Sequence, residues 1–482
     1  MREEARIADI VQALTLEEKA SLLSGGGAWE TAAVERLGIA SAVLTDGPHG
    51  VRRQADAEHF SLDASMPATC FPTAAALGSS WDVGLLAEVG EALGAESRAA
   101  GVAVLLGPGV NIKRTPLCGR NFEYLSEDPV ISGQLGAALV RGIQSRGVGA
   151  SVKHFAANNQ ETGRMQISAE ADERTLREIY LAGFEHVVTT ADPWTVMASY
   201  NKVNGVHAAQ NRWLLTRVLR EEWGFDGLVM SDWGAVWDPV AAVAAGLDLE
   251  MPATGGASAT RLVDAVKAGR LEEGVVDKAV TRLLTLLELA AAPGPAGEVD
   301  YAGHHALARR AAIESAVLLK NEDAILPLDP AARMTLAVIG EFARTPKFQG
   351  AGSSQVNASQ VDSALDGIRE AAGEHLQISF SPGFPLSGEE DPAQLADAVS
   401  AAAAADTAIV FLGLPDGADT EGSDREHIDL PEVQLRLLRA VAEVNPNVVV
   451  VLANGGVVQV ATWEQHARAI LEGWLNGQAG GG

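Results

Sequence analysis

The stretch Gly227-Leu-Val-Met-Ser-Asp232-Trp-Gly234 reads as a strand that ends on a carboxylate. Leu228, Val229 and Met230 form a short apolar run with no polar alternation. Such a run suits a parallel strand covered on both faces. Asp232 follows where the run stops, with an aromatic ring beside it and a glycine after it. In a parallel α/β barrel the carboxyl ends of the strands carry the chemistry. A carboxylate there sits on a rigid support. Taken alone, Asp232 reads equally well as a helix N-cap or a structural aspartate, so the rest of the chain decides.

Working outward, the same pattern recurs. Ala42–Thr45 runs into Asp46-Gly-Pro-His-Gly50, and Val102–Leu106 into Gly107-Pro-Gly-Val-Asn111. Val148–Val152 runs into Lys153-His154, Trp194–Ala198 into Tyr200-Asn201, and Gly246–Leu249 into Glu250-Met-Pro252. Upstream, Thr15 and Glu18 make a capping box for a helix that Gly25 is placed to end. Leu176, Tyr180, Phe184, Val187 and Val188 recur at helical spacing. Strand, loop and helix repeated over this length predict a (β/α)8-type TIM barrel over residues 1–290. Ala290-Ala-Ala-Pro-Gly-Pro-Ala-Gly297 reads as a linker, taken as 291–303. A second α/β sandwich domain is expected over 304–482. It has a helix from His304 to Leu319, strands at Leu336–Ile339, Ala408–Leu412 and Val448–Leu452, and helices at Ala396–Asp406 and Pro431–Val444.

A chain of 482 residues is too long for one core. A formal charge of −27 repels nucleic acid and anionic membrane but is indifferent to a neutral ligand. No stretch is apolar for long enough to span a bilayer. The two cysteines, Cys70 and Cys118, give no disulfide framework and no metal-ligand spacing, and fit a reducing compartment. The start, Met1-Arg-Glu-Glu-Ala-Arg6, has no basic region followed by an apolar core, so no signal peptide is expected and the chain reads as cytoplasmic. No phosphate loop follows a strand, and neither a metal nor a cofactor is expected.

Polar groups gather at the strand ends: Asp46, Arg52, Arg120, Lys153, His154, Arg164, Tyr200 and Asp232, with Trp233 beside them. Charged donors, two carboxylates and an aromatic face suit a ligand rich in hydroxyls. Each residue also has a plainer reading. Asp46 can hold a turn, Arg120 and Glu123 can be a structural ion pair, and His154 can be a core histidine.

The runs Thr45-Asp-Gly-Pro-His-Gly-Val-Arg52, Gly107-Pro-Gly-Val-Asn-Ile-Lys-Arg114, Gly119-Arg-Asn-Phe-Glu-Tyr-Leu-Ser-Glu-Asp128, Lys153-His-Phe155, Met197-Ala-Ser-Tyr-Asn201 and Ser231-Asp-Trp233 resemble the family 3 glycoside hydrolases, most closely their β-glucosidases. Ser315-Ala-Val-Leu-Leu-Lys-Asn321, Ile325-Leu-Pro327 and Glu421-Gly-Ser-Asp-Arg425 continue the resemblance beyond the linker. It implies a retaining, exo-acting β-glycosidase that releases terminal non-reducing glucosyl residues through a covalent intermediate. Asp232 matches the nucleophile and Glu421 the acid/base. Asp46, Arg52, Arg120, Lys153, His154 and Arg164 match residues that hold the glycone, Tyr200 the tyrosine beside the nucleophile, and Trp233 a wall near the sugar. Ser353 or Ser354 adds a contact from the second domain. Locally, Asp416–Glu426 reads as a solvated acidic loop, so Glu421 rests on the resemblance.

The chain stops at Gly473-Trp-Leu-Asn-Gly-Gln-Ala-Gly-Gly-Gly482, which resembles the segment leading into the last part of the second domain. The resemblance implies a C-terminally truncated chain: a fragment, or one whose missing part is supplied separately. A homo-oligomer is equally open. An exo-β-N-acetylglucosaminidase of the family resembles Lys-His-Phe-Pro-Gly-His-Gly, whereas here Ala156-Ala-Asn-Asn-Gln-Glu161 follows Phe155. A β-xylosidase stays open, as do an inactive sugar-binding fragment and, in another class, an aldolase using Lys153 as a Schiff-base amine.

Overall fold

The computed structural model describes every residue except Met1, 55–64, 293, 295–297, 330, 373 and 374. Most of the expected linker thus lies outside the described residues. The chain forms two compact units.

The first unit comprises Met1–Ala68, Asp82–Lys113 and Tyr124–Val299. Strands Leu44–Asp46, Val104–Leu106, Gly149–Phe155, Thr195–Ala198 and Leu228–Ser231 lie side by side in that order, all parallel. Every residue in them is buried, as the unbroken apolar runs require. Shorter segments close the sheet on itself. Met230 bridges Leu249 and Glu250 bridges Ser24, both parallel, whereas Gly25 bridges Thr31 and Glu30 bridges Val43, both antiparallel. Five strands and three short segments make the eight staves of a (β/α)8-type barrel. The stave at 29–31 runs against its neighbours. Leu44, Val104, Leu106, Met197, Leu228, Met230, Leu249 and Met251 pack in one core with helix residues such as Val11, Leu262 and Leu283. Outside, Asp82 and Asp128 cap helices Val83–Ala99 and Pro129–Ser145 through backbone N–H groups that the first turn leaves without partners.

Two expectations shift here. The Thr15–Glu18 capping box is present, but the helix spans Leu16–Leu22 and Gly25 does not end it. Gly25 instead gives its N–H to Glu250 O at 2.9 Å, so barrel closure takes the residues that local capping would have used. Gly246–Leu249 supplies only bridges, not a full strand.

The second unit comprises Asp300–Gly482 together with Thr69–Trp81 and Arg114–Glu123. Its sheet orders Leu376–Ser381, Met334–Ile339, Thr407–Gly413, Val448–Ala453, Ala469–Glu472 and Val317–Asn321. The first five run parallel and the last antiparallel. Helix Glu432–Val444 forms as expected, whereas the alanine-rich helix spans Pro392–Ala403 and not Ala396–Asp406, because Asp391 caps it and Pro392 opens it. The first helix, however, spans Tyr301–Ser315, and the expected stretch to Leu319 is broken at Ala316. Val317-Leu-Leu-Lys-Asn321 pairs with Ala469–Glu472 instead, a ladder that outweighs leucine's helix preference.

Glu472 ends its strand inside the unit. It accepts the Trp474 N–H at 2.9 Å and an Asn454 amide hydrogen at 3.1 Å. Burial, with a further push from Asp419, raises its carboxyl to about 8. The folded protein therefore keeps this proton up to about pH 8, while the unfolded chain sheds it near 4.5. Unfolding releases a proton inside that window, so stability falls as pH rises through it. The full effect amounts to up to about 5 kcal/mol. Glu472→Gln removes it. Urea unfolding at pH 5 and pH 8 should show wild type losing stability relative to the variant. A constant difference across that range would mean that Glu472 does not titrate there.

Candidate active site

Asp232 begins where strand Leu228–Ser231 stops. Its N–H bonds Ala198 O at 2.9 Å, which extends the ladder to the neighbouring strand. Its Oδ1 takes the Trp233 N–H at 2.7 Å. The backbone of Asp232 is thus held by the neighbouring strand and its carboxylate by the next peptide. It remains 7% exposed, at the end of the strand where a ligand can reach it.

His154 Nε2 lies 3.8 Å from Asp232 Oδ2. Asn111 sets that ring. Its Oδ1 accepts the His154 N–H at 2.7 Å while its Nδ2 donates to His154 O at 2.9 Å. The amide orientation is therefore fixed, and the 3.2 Å contact from Oδ1 to His154 Nδ1 makes Nδ1 the donor. Tyr124 packs edge-on against the ring, with its hydroxyl 3.4 Å from Nδ1. Nε2 is the nitrogen turned toward the carboxylate. Asn111 was not legible as a site residue. Its place after the strand Val104–Leu106 is the signal that could have found it.

Lys153, one residue earlier, is buried and shares its backbone with the loop after Leu106: Val110 N–H bonds Lys153 O at 2.8 Å. Tyr200 follows strand Thr195–Ala198, with the Arg164 guanidinium 4.4 Å above its ring. Arg164 Nη1 bonds Glu161 Oε2 at 2.7 Å, and Glu161 is buried. Glu161 thus aims Arg164 across the tyrosine face. Trp233 donates Nε1–H to Ala28 O at 2.7 Å and tilts against Trp29, ring centroids 5.2 Å apart. That locks an aromatic wall beside Asp232.

Asp46 is the last residue of strand Leu44–Asp46 and is 7% exposed. The following turn is pinned: Arg52 N–H bonds Asp46 O at 3.0 Å, and Thr45 Oγ1 donates to Arg52 O at 2.6 Å. A buried carboxylate at this strand end is placed to accept hydrogen bonds from paired hydroxyls. Leaving such a partner unpaired costs about 1–3 kcal/mol. Asp46→Ala should lower kcat/KM on an aryl glycoside well over tenfold while the circular dichroism spectrum holds. Wild-type kinetics in the folded variant would remove Asp46 from the site.

The other expected residues meet in the second unit. Arg120 is there, not among the barrel strands, because Arg114–Glu123 packs with Asp300–Gly482. It forks onto Glu123 at 2.7 and 2.6 Å, the structural ion pair foreseen as its plainer reading. Its Nη1 also lies 3.5 Å from Glu421 Oε1. Glu421 is half-buried, and its Oε2 takes the Ser353 N–H at 2.8 Å. Backbone bonds from Glu421 N–H to Ala351 O at 3.2 Å and from Ala351 N–H to Asp419 O at 2.9 Å fasten the loop. Gly352, at φ 108°, permits this approach, since a Cβ there would stand 2.5 Å from Glu421 Cβ. Gly119 likewise lets Ser423 O come where its Cβ would be, 1.9 Å away, and its N–H bonds Asp424 Oδ1 at 3.1 Å. Glu421 is a held carboxylate, not a solvated one. Ser353 touches it through its amide, and Ser354 is buried in the same turn.

Chemically, the first unit offers a fixed carboxylate, a histidine facing it, an aromatic wall and buried charged groups. The second offers a carboxylate held by an N–H and a guanidinium. Among the described residues no group of three or more His, Cys, Asp or Glu could hold a metal ion. No helix among them is long and apolar enough to cross a membrane.

Comparison with known proteins matches the same two regions. The family model described as glycosyl hydrolase family 3 N terminal domain matches residues 31–286, and that for the family 3 C-terminal domain matches residues 316–482. Thermostable beta-glucosidase B of Acetivibrio thermocellus is 50% identical over 479 residues, covering 99% of this chain and 63% of that protein. The exo-alpha-(1->6)-L-arabinopyranosidase of Bifidobacterium longum is 51% identical over 483 residues, covering 98% of this chain and 63% of its own length. The crystal structure of a family 3 beta-glucosidase from Bifidobacterium adolescentis superposes with a TM-score of 0.90 at 51% identity, over 98% of this chain and 68% of that one. The chain therefore spans 63% of the length of the two relatives compared by sequence.

Proposed function

The chain belongs to glycoside hydrolase family 3, and on that premise we propose that it is a retaining, exo-acting β-glycosidase that removes terminal non-reducing β-D-glucosyl residues. Asp232 attacks the anomeric carbon while Glu421 protonates the departing oxygen. The glycosidic C–O bond breaks and an ester to Asp232 forms. Glu421, now a carboxylate, then takes a proton from water. That water attacks the same carbon, frees Asp232 and gives back the starting β configuration. Asp46, Arg52, Arg120, Lys153, His154 and Arg164 hold the glycone hydroxyls, Tyr200 stands beside the nucleophile, Trp233 packs on the ring, and Ser353 steadies Glu421. The observation that carries this reading is Asp232: a carboxylate fixed at a strand end, with His154 turned toward it and Trp233 walling it. Both cysteines are free and buried, and a cytoplasmic setting is part of the same proposal.

A second reading has its own support in the arabinopyranosidase, 51% identical. An α-L-arabinopyranoside presents its anomeric bond as a β-D-hexopyranoside does. It differs in lacking the C6 hydroxymethyl group and in the orientation at C4. A time course on aryl β-D-glucoside, β-D-xyloside, N-acetyl-β-D-glucosaminide and α-L-arabinopyranoside separates the readings. The glucoside should give the highest kcat/KM, with β-glucose as the first-formed anomer. A faster arabinopyranoside selects the second reading, and first-formed α-glucose removes the retaining mechanism.

A further inference from the structure

One aromatic pair in the first unit has no part in the chemistry above. Trp237 is 54% exposed, yet its ring stacks on His207 with centroids 5.1 Å and planes 20° apart. A single exposed aromatic is ordinary on a protein surface. This one is fixed. The next residue, Asp238, gives its N–H to Gln210 Oε1 at 3.2 Å. Its carboxylate caps helix Pro239–Ala245 and takes Arg261 Nη2 at 2.9 Å. His207 is tied by a hydrogen bond to the Tyr200 backbone. Burial, joined by the Lys202 charge, pushes the imidazole below its usual value.

Its position is bounded by the chain. Trp237 follows Asp232 on the same loop, which turns back at once: Ala235 N–H bonds Asp232 O at 3.1 Å. Such a turn holds its ends within about 7 Å. Two more residues add at most about 7 Å, which sets the Trp237 backbone within about 14 Å of Asp232. That is the reach of a sugar ring or two beyond the bond that Asp232 attacks.

We propose that Trp237, backed by His207, is a platform for a leaving-group sugar, a subsite for the second or third residue of a short β-linked oligosaccharide. The proposal rests on the glycosidase reading. A flat apolar ring held open to solvent fits the C–H face of a pyranose, and its bracing means that nothing need be ordered on binding.

The test compares kcat/KM for the best-cleaved β-linked glucotriose with that for methyl β-D-glucoside, in wild type, Trp237→Ala and Trp237→Phe. The trisaccharide-to-methyl-glucoside ratio should fall about tenfold in the alanine variant, the size of one aromatic contact, and be mostly restored in the phenylalanine variant. The loss should fall on KM. An unchanged ratio in Trp237→Ala, or no recovery in Trp237→Phe, overturns the subsite alone. A wild type inactive on both substrates overturns the glycosidase reading and the subsite with it.

Discussion

Asp232→Asn should lower turnover of an aryl β-glucoside by on the order of 10⁴-fold or more, the scale of losing a covalent nucleophile. The fold should survive. Asp232 meets its surroundings through its own N–H to Ala198 O and through Oδ1, which accepts the Trp233 N–H, and an asparagine oxygen can accept the same bond. What the amide cannot do is attack an anomeric carbon. A 2-deoxy-2-fluoro β-glucoside with a good leaving group slows the second step more than the first, so wild type should accumulate a covalent adduct. Peptide mapping should place the label on Asp232, and the asparagine variant should carry none. A label on another carboxylate, or an asparagine variant that turns over at near wild-type rate, would reassign the nucleophile.

Asp232 was legible because two local signals coincide there: a short apolar run and a carboxylate at its end. The same holds for Asp46 after Leu44, and for Lys153 and His154 within Gly149–Phe155. Long-range partners were not legible. Asn111 fixes the His154 ring from 43 residues away, and nothing near His154 names it. Glu161 reads as one acid among many until its bond to Arg164 shows it buried. Barrel closure is hidden for a related reason. The bridges at Ser24, Thr31 and Leu249 are too short to show a strand period, and the Gly25 that pairs there looks like a helix stop. Arg120 falls in sequence between barrel strands, whereas the whole segment Arg114–Glu123 packs with Asp300–Gly482, and its bonds to Glu123 and Glu421 lie in that second unit. The expected helix to Leu319 overruns because Val317-Leu-Leu319 has no local stop signal before it, and only the antiparallel partner at Ala469–Glu472 makes Val317–Asn321 a strand.

Glu421 is the sharpest case, since its local sequence argues for a solvated loop and its surroundings argue otherwise. The Ser353 N–H at 2.8 Å and Arg120 at 3.5 Å hold its carboxyl group, and Gly352 leaves room for it. Donors on both oxygens suit the carboxylate form that the second step of the reaction uses. If Glu421 is the acid/base, the effect of removing it must depend on the leaving group. Loss of a general acid costs typically 10²–10⁴-fold when the departing oxygen needs a proton. Glu421→Ala should therefore fall that far on an alkyl glucoside or a disaccharide. It should lose far less in glycosylation by a dinitrophenyl glucoside, whose anion departs unaided. Deglycosylation then limits the variant, because no base activates water. Azide needs no base, fits the space left by the side chain, and should raise turnover with β-glucosyl azide as the product. A variant slowed equally on every leaving group and indifferent to azide would return Glu421 to a structural role, held by Arg120 and Ser353 for the sake of the loop, and the proton donor would have to be another carboxyl group.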